Sequence, residues 1–83
     1  MAGFVYIIYS ENWDQYYLGS TINVDERLVR HNIGRNTSTR GGAPWHLKYV
    51  ETFEDIADAR RRELQIKKKK SRKYLEWLIS SSG

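Results

Sequence analysis

Eighty-three residues make one domain with no room for a second, and a chain this short buries only about 60–65% of its unfolded surface, so its three Trp, six Tyr and two Phe must carry much of the core. The absence of cysteine excludes disulfides and thiolate metal sites, no apolar run approaches the ~18 residues of a membrane span, and the N-terminus lacks the basic start and apolar stretch of a leader, so the sequence points to a soluble cytoplasmic protein with no membrane partner. The net charge of +4 conceals nine basic residues and one acidic residue between Arg60 and Lys73, while the remainder carries five basic and nine acidic; so focused a patch selects a polyanion, and nucleic acid above all.

In chain order, residues 4–9 are β-branched and aromatic on both faces and predict a buried strand, and residues 16–20 predict a second. The intervening "ENWDQ" has no two-residue turn pair, so a longer hairpin loop is expected. "NVDERLVRHNIG" reads as a helix, with Asn23 as N-cap, Glu26 completing a capping box and Gly34 at the left-handed position beyond the last turn. A polar, glycine-rich loop, "RNTSTRGGAPW", follows, and "HLKYVETF" predicts a third strand with Leu47, Tyr49 and Phe53 on one side. A second helix runs from Asp55 to about Lys69, capped by Thr52 or Asp55, and a short third helix over about 72–79 is capped by Ser71. The order β-β-α-β-α-α predicts an α+β (mixed α/β) domain, a three-stranded antiparallel sheet flanked by helices, filling residues 1–83.

Several residues stand out chemically. Tyr6 and Tyr17 lie on strands that pair, so their hydroxyls need polar partners if buried, and Gly19 leaves room for a ligand or another backbone. Arg27 and His31 are one turn apart on one helix face. Glu63 falls among Ile56, Ala59 and Ile66 on the inward face of the second helix, where a carboxylate must be paired or bind a metal. Arg60 or Lys67 can neutralise it; alternatively its hard oxygens suit Mg²⁺ or Mn²⁺ completed by water and phosphate. Trp45 offers either a base-stacking surface or a plug for the core.

Phe4-Val5-Tyr6 and Tyr17-Leu18-Gly19, followed by "ERLVRH" and "ARRRELQIK", resemble the GIY-YIG nuclease family, in particular its small stand-alone bacterial members related to the N-terminal nuclease domain of the excision-repair endonuclease. The resemblance runs from about residue 3 to about residue 70. It implies the GIY-YIG fold, a role in DNA repair, and hydrolysis of a DNA phosphodiester with one divalent cation, Mg²⁺ or Mn²⁺, held by Glu63. Tyr6 would be the base or orient the water with help from Tyr17, its phenol brought down by the metal and by Arg27. Arg27 would neutralise the charge that builds on phosphorus, and His31 would bond a tyrosine or relay a proton. Two departures stand out: Phe4 replaces the name-giving glycine, and Leu75 occupies the place where several relatives carry an asparagine. The resemblance also implies that target choice comes from an attached DNA-binding domain; none is read in this sequence, and a partner protein is expected to supply that choice.

Arg61, Arg62, Lys68, Lys69 and Lys70, with few i to i+4 counterions in the run, are expected to hold phosphates flanking the cut, together with Arg40 of the loop and the cleared backbone at Gly19. No element that reads bases is visible, so recognition of DNA, in preference to RNA, is expected to follow structure or to be weakly selective. The rival reading is a nucleic-acid-binding protein that keeps the scaffold without cutting.

Overall fold

The computed structural model describes residues 1–81. β1 (Gly3–Ser10) and β2 (Gln15–Thr21) form a hairpin, followed by α1 (Val24–Asn32), β3 (Trp45–Phe53), α2 (Ile56–Lys68) and α3 (Arg72–Ser81). The sheet is antiparallel in the order β2-β1-β3, with β1 central. The expected α+β architecture and element order are those observed.

A central strand covered on both faces is expected to be apolar along its length, and β1 is apolar or aromatic from Phe4 to Tyr9. Val5 and Ile7 face one way and join Leu18, Ala59, Ile66 and Leu78 in a core beneath α2 and α3. Tyr6 and Ile8 face the other way and pack with Trp45, Tyr17, Val24 and Leu28 against α1. Successive residues of one strand thus serve two different layers.

β3 departs from the expected alternation. Tyr49 lies opposite Ile7 but Leu47 lies opposite Ile8, because the register shifts between Ile7 and Ile8. The irregularity inserts one residue, so Leu47 points away from Tyr49 and Phe53 rather than alongside them. Beyond it, Trp45 reaches the α1 face and is buried, its indole N–H donating to the Thr39 carbonyl at 3.1 Å. Asn32 fixes the start of β3 by accepting from the Trp45 amide at 2.6 Å and donating to its carbonyl at 3.3 Å. Trp45 is therefore the core plug, and the base-stacking alternative falls away.

Asn23 caps α1 by accepting from the Glu26 amide at 3.0 Å. The return bond of a capping box is replaced: the Asn23 amide donates to the Thr21 hydroxyl at 3.1 Å. Gly34 adopts the expected positive φ of 78°. Asp55, not Thr52, caps α2, and the Ser71 hydroxyl accepts from the Tyr74 amide at 3.1 Å at the start of α3. Arg72 ties α3 to the hairpin loop, donating to the Asp14 carbonyl and carboxylate at 2.7 Å each, with its guanidinium over the Tyr16 ring at 5.1 Å. No helix among the described residues is long and apolar enough to cross a membrane.

The join between β1 and α2 is tightest at Gly3. A Cβ there would lie 2.5 Å from the Ile56 Cα and 2.8 Å from its amide nitrogen, both backbone atoms that cannot step aside. Gly3→Ala is expected to destabilise the protein by about 1–3 kcal/mol, lowering the thermal midpoint by about 4–8 °C per kcal/mol; an unchanged midpoint in a circular-dichroism melt would contradict this packing.

Candidate active site

The hairpin register places Tyr6 opposite Gly19 and Ile8 opposite Tyr17. Tyr6 and Tyr17 are therefore diagonal neighbours on the α1 face, their ring centroids 6.5 Å apart. Gly19 is what lets the Tyr6 ring lie flat across β2: a Cβ at Gly19 would stand 2.6 Å from the Tyr6 hydroxyl oxygen. The clearance expected for a ligand at Gly19 is thus filled by the protein's own phenol.

The Tyr6 hydroxyl lies 2.9 Å from His31 Nε2. His31 occupies the last turn of α1 and is fully buried, with its ring 4.9 Å from that of Tyr17. On its other side Nδ1 lies 2.7 Å from the hydroxyl of Thr39, also fully buried, and Thr39 Oγ1 donates to the Asn36 carbonyl at 3.4 Å. One proton arrangement gives every hydrogen in this chain an acceptor: Tyr6 donates to Nε2, Nδ1 donates to Thr39, and Thr39 donates to Asn36. Sequence reasoning missed Thr39, since nothing separates it from the other hydroxyls of its polar loop.

Arg27 is half-buried one turn before His31 and acts on the Tyr6 phenol through its positive charge. Glu63 arrives from the other side of the sheet. Ser20, the residue after Gly19, points toward α2 and donates to Glu63 Oε1 at 2.5 Å, while Lys67 Nζ sits 2.5 Å from Oε2. Of the two expected neutralising cations, Lys67 is the one that pairs. β2 is an edge strand, with the phenol over Gly19 and the acid bonded to the adjacent Ser20, and the Glu63 charge is felt at Tyr6. Ser20 is a second residue that sequence reasoning missed; only the register reveals it.

Burial dominates the electrostatics. It pushes the Tyr6 phenol up to about 12, with Tyr17 and Glu63 adding to the rise and Arg27 opposing it. Arg27 lowers this phenol in the expected sense, but loss of water outweighs one partly exposed cation. Burial, reinforced by Arg27 and Arg30, pushes His31 down to about 4, so the imidazole is neutral at physiological pH.

A metal at this site would rest on a single carboxylate. Among the described residues no three Asp, Glu, His or Cys side chains cluster. The donor set fits a hard ion that takes Glu63 and fills its other positions with water and substrate oxygens, once the half-exposed Lys67 swings aside.

The basic run has more counterions than its sequence suggests. Arg61 pairs with Asp58 and Arg62 with Glu51 of β3, each at 2.9 Å, and Arg72 is held by Asp14 and Glu76. Among the described residues Lys68, Lys69 and Lys70 enter no ion pair, and all three are exposed. Arg40 is exposed and donates to the Gly34 carbonyl at 3.0 Å. Leu75 packs half-buried against the α2–α3 core.

Residues 2–75 match the family described as the GIY-YIG catalytic domain. A UPF0213 protein of Clostridium perfringens is 36% identical over 80 residues, covering 95% of this chain and 85% of that relative. One from Halobacterium salinarum is 42% identical over 53 residues, 63% of this chain and 69% of its own. The structure-specific endonuclease subunit SLX1 of Phaeosphaeria nodorum is 33% identical across 80% of this chain, which corresponds to only 26% of that subunit. The solution structure of the UPF0213 protein BH0048 from Bacillus halodurans superimposes with a TM-score of 0.61 at 33% identity, over the whole of this chain and 87% of that one. With the family match running from the N-terminal edge of β1 into α3, and a solved relative sharing the complete fold, the chain belongs to the GIY-YIG catalytic-domain family.

Proposed function

We propose that the protein is a metal-dependent endonuclease that hydrolyses DNA phosphodiester bonds, choosing its target by structure or with weak sequence preference. The observation that carries this reading is the buried Tyr6–His31 hydrogen bond poised over Gly19, one residue along β2 from the serine that holds Glu63. The relative named as a structure-specific endonuclease subunit supports the substrate class, and a partner protein would supply finer target choice.

A phenol at about 12 does not ionise on its own at neutral pH. Tyr6 therefore takes a proton from the attacking water as it passes its own to Nε2 of His31, so that no free phenolate accumulates. Thr39 keeps Nδ1 protonated and Nε2 open. Tyr17 packs on the imidazole and holds its plane, and Arg27 offsets the charge that builds on the phosphate. Glu63 would hold the divalent ion, Mg²⁺ or Mn²⁺, which when bound supplies Lewis-acid stabilisation of the phosphate and the leaving oxygen. Lys68, Lys69 and Lys70, with Arg40, Arg61 and Arg62 at the periphery, take flanking phosphates.

A second reading, a binding protein that does not cut, is favoured by the Lys67 ammonium on Glu63 and by the aliphatic Leu75. A cleavage assay over single-stranded, duplex, flap and junction DNA separates the two. Tyr6→Phe and Glu63→Ala are each expected to reduce cleavage by about 10²–10⁴-fold with binding retained, and chelation of divalent ions should abolish cutting by the wild type. Wild-type binding without cleavage on every substrate would establish the second reading.

Salt provides an independent check on the lysines. The log of the duplex-binding constant should fall against log salt with a slope of about −0.9 per phosphate contacted, and replacing Lys68, Lys69 and Lys70 together by Ala should make it shallower; a wild-type slope near zero would remove the patch.

His31 makes stability depend on pH. Its folded-state pKa of about 4 lies below the ordinary 6.5, so its contribution is complete above pH 6.5 and is lost as pH falls toward 4. Urea unfolding at stepped pH should show this decline, and it should flatten in His31→Gln; an identical profile in that variant would exclude His31 as its source.

A further inference from the structure

Trp77 is a large aromatic side chain left 58% exposed on α3, although the same helix buries Leu78. It is stacked on Tyr74 one turn earlier, with centroids 5.7 Å and planes 26° apart. Isolated surface aromatics need no explanation, but here cations stand around the tyrosine of a stacked pair. Lys69 Nζ stands 5.4 Å over the Tyr74 ring, and Arg62, Gln65, Lys68 and Lys69 form with Tyr74 the walls of a shallow concavity. Lys73, also exposed, lies one turn before Trp77 on the same helix face. The neighbouring carboxylates are already engaged: Glu76 by Arg72 and Tyr16, Glu51 by Arg62 and Tyr49.

An exposed indole face beside ammonium groups with no competing acid suits a nucleobase attached to a phosphate backbone. Bases inside a duplex are stacked on each other and present only their edges, so the matching ligand is unpaired. We infer that Tyr74 and Trp77 form a stacking site for an unpaired base of single-stranded DNA, with Lys68, Lys69 and Lys73 on its phosphates. The site flanks α2 on the side of β3, where Arg62 meets Glu51, whereas Glu63 flanks it on the side of β2. A strand joining the two crosses the exposed outer surface of α2, about 10–12 Å across, past Arg60 and Lys68. The inference deepens the nuclease reading by giving it an unpaired tail beside the cut, while its binding half requires no catalysis.

The test titrates the protein with oligothymidylate in the presence of a chelator, following tryptophan emission and the anisotropy of the labelled strand, with a closed hairpin duplex as comparison. Single strands should quench the wild type. Trp77→Ala should lose that quenching and bind single strands about tenfold more weakly, with duplex affinity and thermal midpoint unchanged; Trp77→Phe should keep most of the single-strand affinity. Wild-type single-strand affinity in Trp77→Ala overturns the inference, as does a Trp77-dependent dimer in sedimentation without quenching by DNA. Quenching through Trp77 in a protein that cuts nothing when metal is restored upholds the stacking site and sinks the nuclease reading; cleavage with no role for Trp77 in single-strand binding does the reverse.

Discussion

A phenol lying across a glycine organises this small domain. Tyr6 has no room unless position 19 lacks a side chain, and its buried hydroxyl has no partner unless α1 delivers His31 to it. Those two requirements fix the hairpin register, since a slip of one residue would bring the side chain of Leu18 or Ser20 against the ring and turn every β1 side chain to the opposite layer. They also fix the length of α1, because His31 must close its last turn. The core and the reactive group are thus held by the same contacts, and Tyr6 is at once a packing residue and the proposed proton carrier.

Burial explains why the proposed chemistry requires more than one residue. An exposed phenol near a cation ionises more easily, but a buried one loses water first, and that loss decides the sign at Tyr6. The same loss keeps His31 neutral and its Nε2 able to accept. A pair in which the donor resists ionisation and the acceptor resists protonation holds its proton in one place until charge arrives from outside. In the proposed reaction the substrate phosphate brings that charge, with Arg27 to offset it and Glu63 to hold the divalent ion.

Much of this was legible in the sequence, and the exceptions share a cause. The six elements followed from apolar periodicity and from caps at Asn23, Asp55, Ser71 and Gly34, because those signals are local. Strand pairing set Tyr6 beside Tyr17 and one helix face set Arg27 beside His31, while the meeting of the two pairs was implied only by the family resemblance. What escaped depended on register or on loops. Leu47 was misplaced because one irregularity in β3 swaps its face; Thr39 and Ser20 carry no signal apart from the partners they meet; Gly19 serves its own phenol rather than a ligand; and the pairing of Arg62 with Glu51 joins residues from separate elements.

The clamp between Arg72 and Asp14 bears on how the C-terminal helix is kept in place. It spans 58 positions of sequence, and both partners are substantially exposed. Exposed ion pairs weaken as mobile ions accumulate, so this clamp responds to the surrounding electrolyte, whereas the apolar contacts that α3 shares with α2 do not. Leu78 and its apolar neighbours hold α3 to the core whatever the salt, so the electrolyte reaches only the outer tie between this helix and the hairpin loop.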